Sequence, residues 1–214
     1  MIQKLERLLE MCKTEVFDIA EAKSLISEFN INESFNDPTL SWEHRTTFLT
    51  EACSNSNLKM VKLLLESGAD PNFILYADKP CWMENAFWDL QYPCDAFEDV
   101  EENSKTDEKR LRIAQLMLEY GVDPCIVLEE EDLFSYVLFA VFNDDSGHLL
   151  EYRSRFFILL IAYGGKNSYC TPEILKPFDK NNLLQYNFLR VPAGDGYHLT
   201  GEIVDENYEV VAKV

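Results

Sequence analysis

One pattern recurs along this chain and limits what it can fold into. Residues 61–72 read Val-Lys-Leu-Leu-Leu-Glu-Ser-Gly-Ala-Asp-Pro-Asn, and residues 114–125 read Ala-Gln-Leu-Met-Leu-Glu-Tyr-Gly-Val-Asp-Pro-Cys. Residues 157–166 repeat the motif as Phe-Ile-Leu-Leu-Ile-Ala-Tyr-Gly-Gly-Lys, and a weaker copy, Lys-Ser-Leu-Ile-Ser-Glu-Phe-Asn-Ile-Asn, occupies 23–32. Each copy starts as a helix with a broad apolar face, then meets Gly or Asn. Those residues tolerate the left-handed conformation that ends a helix. Asp-Pro follows in two copies, and proline pushes its predecessor into extended backbone, so the helix cannot restart there. Repetition of a supersecondary unit implies stacked modules rather than one closed core.

A second helical element precedes each of these. It reads Thr-Phe-Leu-Thr-Glu-Ala at 47–52, Asn-Ala-Phe-Trp-Asp-Leu at 85–90 and Ser-Tyr-Val-Leu-Phe-Ala at 135–140. A small polar residue opens each one, as an N-cap does. The predicted unit is therefore helix, tight turn, helix, extended finger. Residues 47–72 resemble an ankyrin repeat. Thr47 to Ala52 stand where that family has Thr-Pro-Leu-His-x-Ala, residues 57–65 match its second helix, and Gly68-Ala69-Asp70-Pro71-Asn72 match its terminal turn. The other units lack the Pro and His of the first helix and rest on the second-helix pattern and register.

The spacing departs from the family. From Gly68 to Gly121 is 121 − 68 = 53 positions, and from Gly121 to Gly164 is 164 − 121 = 43, against about 33 for an ankyrin unit. Insertions are expected at 73–84, a long finger, at 92–106, between the helices of the third unit, and at 143–148 in the fourth. The expected architecture is mostly α: an ankyrin-repeat solenoid of about four helix-turn-helix repeats over 1–170. Its units fall near 1–40, 41–83, 84–131 and 132–170. Residues 171–214 differ. Leu184, Tyr186 and Phe188, then Tyr197, Leu199 and Ile203, then Tyr208, Val210, Ala212 and Val214 alternate with polar residues. Period two predicts strands, here a three-stranded antiparallel β-meander that needs a surface to cover. The open end of the last repeat is the expected one.

Charge narrows the function. Lys plus Arg number 19 against 38 Asp plus Glu, a net −19. Binding to phosphate backbones and anionic lipid is driven by Lys and Arg, so nucleic acid and membrane are not expected as partners. The longest apolar stretch, residues 156–162, is far short of the roughly 20 needed to span a bilayer. Residues 1–7 carry charge at helical spacing and lack a signal-peptide apolar region. The six cysteines form no Cys-x-x-Cys pair and several sit beside apolar helical positions, which predicts free thiols and a cytoplasmic location. No Gly-rich phosphate loop and no zinc-ligand spacing is present. A Cys–His nucleophile pair could be made only by residues distant in sequence, for example Cys170 with His198. The acids at 129–132 read as a solvated loop whose last member caps the helix starting near Leu133, the alternative being a catalytic or metal cluster. No catalytic residue, cofactor or metal is expected, and the chain is not expected to be an enzyme.

The acidic insertion is the candidate site. It carries Asp95, Glu98, Asp99, Glu101, Glu102, Asp107 and Glu108 against Lys105, with Phe87, Trp88, Tyr92 and Phe97 beside it and Trp82 in the preceding finger. Aromatics with charge make up binding hot spots. Two readings stay open for the insertion, a docking surface for a basic protein and a loop with no partner. For Trp82 the alternative is packing the finger down, and for Phe87, Trp88, Tyr92 and Phe97 it is inter-repeat core, the expected place of Phe87. What the resemblance implies is protein–protein recognition through fingers and first helices. Small acidic ankyrin-like proteins with degenerate repeats are similar to bacterial immunity proteins of polymorphic toxin systems, which implies neutralisation of a basic toxin. The alternative is a general scaffold, an adaptor or a secreted effector with no such role.

Overall fold

The computed structural model describes residues 2–36, 45–76, 84–93, 100–128, 130–143, 147–167, 172–174, 176, 178–190 and 201–214. Seven α-helices lie among the described residues. The chain divides into two compact units: residues 1–90 with 94–122, and residues 91–93 with 123–214.

In the first unit α1 (Ile2–Lys13) and α2 (Ile19–Ile26) are followed by β1 (Phe35–Asn36) and β2 (Arg45–Thr46), which pair antiparallel as a finger. Then come α3 (Phe48–Ser54) and α4 (Leu58–Glu66). Thr47 caps α3 as expected, its Oγ1 accepting the Thr50 N–H at 3.1 Å. The helix α3 packs against both α1 and α4, and Phe48, fully buried, sits between the rings of Phe29 and Phe35 at 5.5 and 4.7 Å. Burying such a side chain contributes about 2–3 kcal/mol. Asn57 joins consecutive helix pairs. Its Oδ1 accepts the Met60 N–H at 3.1 Å and caps α4. Its Nδ2 donates to the carbonyls of Met11, Cys12 and Thr14, closing the end of α1.

Asn85 caps the next element in the same way, accepting the N–H groups of Phe87 and Trp88. Here the expected first helix is not built. Residues 88–91 form one 3-10 turn, Trp88–Gln91. Pro93 explains the arrest, since it has no N–H to give and its ring excludes a helix carbonyl four residues back. The following insertion is also not a loop throughout. From Val100 it is helical, the start of α5 (Val100–Glu119), 20 residues long against 9 for α4. Part of the 53-position spacing from Gly68 to Gly121 is thus taken up by added turns of α5.

The second unit opens with β3 (Val127–Leu128) and β4 (Glu131–Asp132), another antiparallel finger. Helices α6 (Leu133–Asn143) and α7 (Gly147–Ala162) follow and pack together. Asp132 caps α6, its Oδ1 2.7 Å from the Ser135 nitrogen. These helices have 11 and 16 residues, again longer than α3 and α4 with 7 and 9.

The tail adds β5 (Glu173–Ile174), β6 (Asn187–Arg190), β7 (Gly201–Val204) and β8 (Val210–Lys213), in the order β5-β8-β7-β6 with all pairings antiparallel. The last three strands are the expected meander, and β5 extends it by one short edge strand. Three details differ from simple alternation, the first being that Leu184 falls in a 3-10 turn, Leu183–Gln185, ahead of β6. The register shifts between Ile203 and Val204, so Val211 and Ala212 are both buried. Tyr208 lies in the preceding turn at φ 59 and is 79% exposed, so it is not on the apolar face. The sheet packs on the helices: Phe188 of β6 meets the edges of Phe142 and Phe157 at 5.7 and 6.1 Å.

Candidate protein-interaction surface

The same local geometry returns at each turn. Gly68, Gly121 and Gly164 have φ of 93, 88 and 93°. In each case the next residue's N–H reaches back five positions: Ala69 to Leu64, Val122 to Met117 and Gly165 to Leu160, at 3.0, 3.1 and 2.8 Å. That closes the helix end with a left-handed cap. Asp70 and Asp123 each accept the N–H two residues on, from Asn72 and Cys125. A side chain then ties each turn to the following one. Asn32 Nδ2 donates to the Gly68 carbonyl and its Oδ1 accepts from Asp70 N–H. Asn72 Nδ2 donates to the Gly121 carbonyl at 3.2 Å. Cys125 takes that position in the second unit, its Sγ donating to the Lys166 carbonyl at 3.1 Å and accepting from its N–H at 3.4 Å. The turn sequences place Asn32, Asn72 and Cys125 at matching positions, but nothing in them signals that these side chains bond onward.

Helix pairs, paired-strand fingers and a glycine-ended turn at matching positions define a helical-repeat protein. Residues 45–74 match the ankyrin-repeat family model, so the chain carries an ankyrin repeat there, a non-catalytic protein-interaction module. No curated protein matches the chain.

The expected site residues separate. Trp82, Asp95, Phe97, Glu98 and Asp99 lie outside the described residues. Glu101 and Glu102 are exposed in the first turn of α5, where the helix dipole favours acids. Glu101 pairs with Lys105 at 2.8 Å, and an exposed pair of this kind contributes little. Cations follow on the same helix. Lys109 reaches Glu15 at 2.7 Å, and Arg110 donates to the Asp89 carbonyl at 2.7 Å. The acid excess of the helix is therefore confined to its start, and Asp107, counted with the insertion, is buried. Trp88 is half-buried on the 3-10 turn. Beside it, burial pushes the Asp89 carboxyl up to about 6, with Glu84 adding to the rise and Arg110 opposing it.

Tyr92 belongs to the second unit. Its hydroxyl lies 3.0 Å from that of Tyr136 on α6, and the Arg153 guanidinium stands 5.3 Å from its ring centre. One turn along α6, Phe139 is 66% exposed. Tyr136, Phe139 and Arg153 were not among the expected site residues. Arg153 lies on α7, whereas the helix of Tyr136 and Phe139, α6, is apolar nearly all round, which reads as wholly buried, and exposure of one face leaves no mark in such a pattern.

Burial pushes the thiols of Cys12 and Cys53 up, so both are unreactive at neutral pH. Cys12, Cys53 and Cys125 are free thiols. His44, His198 and Cys170 lie outside the described residues. Among the described residues no group of three or more His, Cys, Asp or Glu is placed to hold a metal ion, and no helix is long and apolar enough to cross a membrane.

Proposed function

We propose that this chain binds a basic partner protein, as an immunity protein neutralises a basic toxin. In this reading residues 1–170 are four degenerate ankyrin units and residues 171–214 are the cap of the last one. The observation that carries it is the net charge of −19 together with Glu101 and Glu102 presented on helix turns that a 9-residue second helix does without. Opposite charge steers encounter and raises association rates. The recurrence of turn, finger and onward hydrogen bond supports four units, and the Phe188 contacts support the capping role. The protein acts in the cytoplasm, without nucleic acid, membrane, metal or cofactor, and not as an enzyme. Trp82, Trp88, Tyr92, Asp95, Phe97, Glu98, Asp99, Glu101 and Glu102 are its proposed contact residues. The second reading, a scaffold, adaptor or secreted effector, differs only in partner.

Co-expression with each toxin encoded beside the gene tests the proposal. Rescue of growth is expected, with a physical complex that weakens as salt shortens the Debye length from about 10 Å at 0.1 M to about 3 Å at 1 M. No rescue, together with capture of a partner whose binding ignores salt, would sink the toxin reading in favour of the adaptor.

A further inference from the structure

The aromatic face of α6 is built in a way that the core does not require. Leu133, Phe134, Val137, Leu138 and Val141 bury the other face almost completely. Tyr136 and Phe139 stand three residues apart, on one side of the helix. Tyr92 is held over this side by its hydroxyl contact with Tyr136 and by the Arg153 guanidinium against its ring. Arg153 is itself 8% exposed, so the clamp is embedded. Two tyrosines are thus fixed before any partner arrives, and a fixed aromatic loses little entropy on binding. Phe139 projects beside them at 66% exposure.

Charge says what fits there. The finger that leads directly into α6 carries Glu130 and Glu131, both exposed, and ends at Asp132. A partner must offer cations to these acids and a flat or apolar surface to the rings. Arginine does both: its guanidinium is weakly hydrated and stacks on aromatic faces, while the lysine ammonium is a strongly hydrated point charge. Tyr92 already takes a guanidinium from within the chain. We infer that Tyr92, Tyr136 and Phe139, with Glu130 and Glu131, form a docking site for an arginine-rich segment of a partner protein. The inference rests on the basic-partner reading and moves its anchor from the start of α5 to α6.

Fluorescence anisotropy of the full chain with labelled nona-arginine and nona-lysine peptides tests it. Nona-arginine should bind about tenfold more tightly. Phe139→Ala should weaken its binding about tenfold, since hot-spot truncations reach that size. Phe139→Leu keeps an apolar group without the ring, and should lose the arginine preference with an unchanged thermal melt. Glu130→Lys with Glu131→Lys should weaken both peptides and flatten the salt dependence. Equal binding of the two peptides, binding unaffected by Phe139→Ala, or no binding at all would overturn the site. Loss confined to Glu101→Lys with Glu102→Lys would overturn it too, and leave the basic-partner reading standing on α5. That parent reading falls only if capture of basic proteins also fails.

Discussion

Replacing Asn57 by alanine should be the most damaging single polar substitution in the first unit. The side chain is 1% exposed and serves two helices at once. Its Oδ1 caps α4 through Met60 N–H, and loss of such a cap costs about 1 kcal/mol. Its Nδ2 donates to Met11, Cys12 and Thr14 carbonyls at 2.9, 3.1 and 2.6 Å. Leaving buried acceptors without a donor costs about 1–3 kcal/mol. Together these give a destabilisation of about 3 kcal/mol for Asn57→Ala. With a urea slope of roughly 2 kcal/mol/M, the midpoint should fall by about 1.5 M. Amide exchange at Met60 should accelerate in the same variant. Asn57→Asp separates the two roles: it keeps the cap acceptor but turns a carboxylate toward three carbonyl oxygens. At neutral pH it should be worse than alanine, and it should recover on acidification as the carboxylate protonates. A shift below about 0.5 kcal/mol for Asn57→Ala, or an aspartate variant as stable as wild type, would refute the claim that one amide links the two helix pairs.

Four further substitutions probe the turns and the buried charge. Asp89 has its folded pKa raised from 3.8 to about 6, so its contribution is most favourable below the unfolded value and is lost as pH rises through 6. Asp89→Asn should therefore gain on wild type by about 2 kcal/mol between about pH 4.5 and about pH 7.5 in urea titrations, and a gain that does not vary with pH would refute this. Gly68→Ala meets no atom within 4 Å but must hold φ 93°, so it should cost about 1–2 kcal/mol in thermal melts. Gly165→Ala should cost more, because its Cβ would lie 2.6 Å from the Phe134 ring and 2.9 Å from the Leu160 carbonyl; a loss no larger than at Gly68 would show that the surrounding atoms give way. Cys125→Asn should stabilise by about 1 kcal/mol, since an amide makes a stronger bond to the Lys166 backbone than a thiol does. Unchanged stability there would mean that the thiol already fills the position.

The legible parts of the fold were those with strong local causes. Thr47, Asp132 and the turn glycines act through bonds a few residues long, and their positions could be read directly. The 3-10 turn at Trp88 was also written locally, in Pro93, but its apolar spacing looked like that of a full helix. The long α5 was masked by its own start. Glu101, Glu102, Asn103 and Ser104 lack an apolar face, so periodicity gave no reason to extend the helix there. The added edge strand β5 is two residues long, too short to alternate. Asn57 could be read as a cap for α4, whereas its bonds to Met11 and Cys12 span more than 40 positions and depend on stacking.

The placement of charge alters how the acidic excess should act. Along α5 the acids at the start are followed by Lys105, Lys109, Arg110 and Arg112, and Glu101, Lys105, Lys109 and Arg110 already meet groups of the same unit. Ionised groups so matched project a weaker field than their number suggests. The exposed finger acids Glu130 and Glu131 instead lead into the helix that carries Tyr136 and Phe139, so an arginine-rich segment is offered rings as well as carboxylates. Screening removes most of the attraction of exposed carboxylates by 1 M salt, while contact with an aromatic ring persists. Residual affinity at high salt, measured with and without the Phe139 ring, therefore separates an anchored interface from a merely steered one.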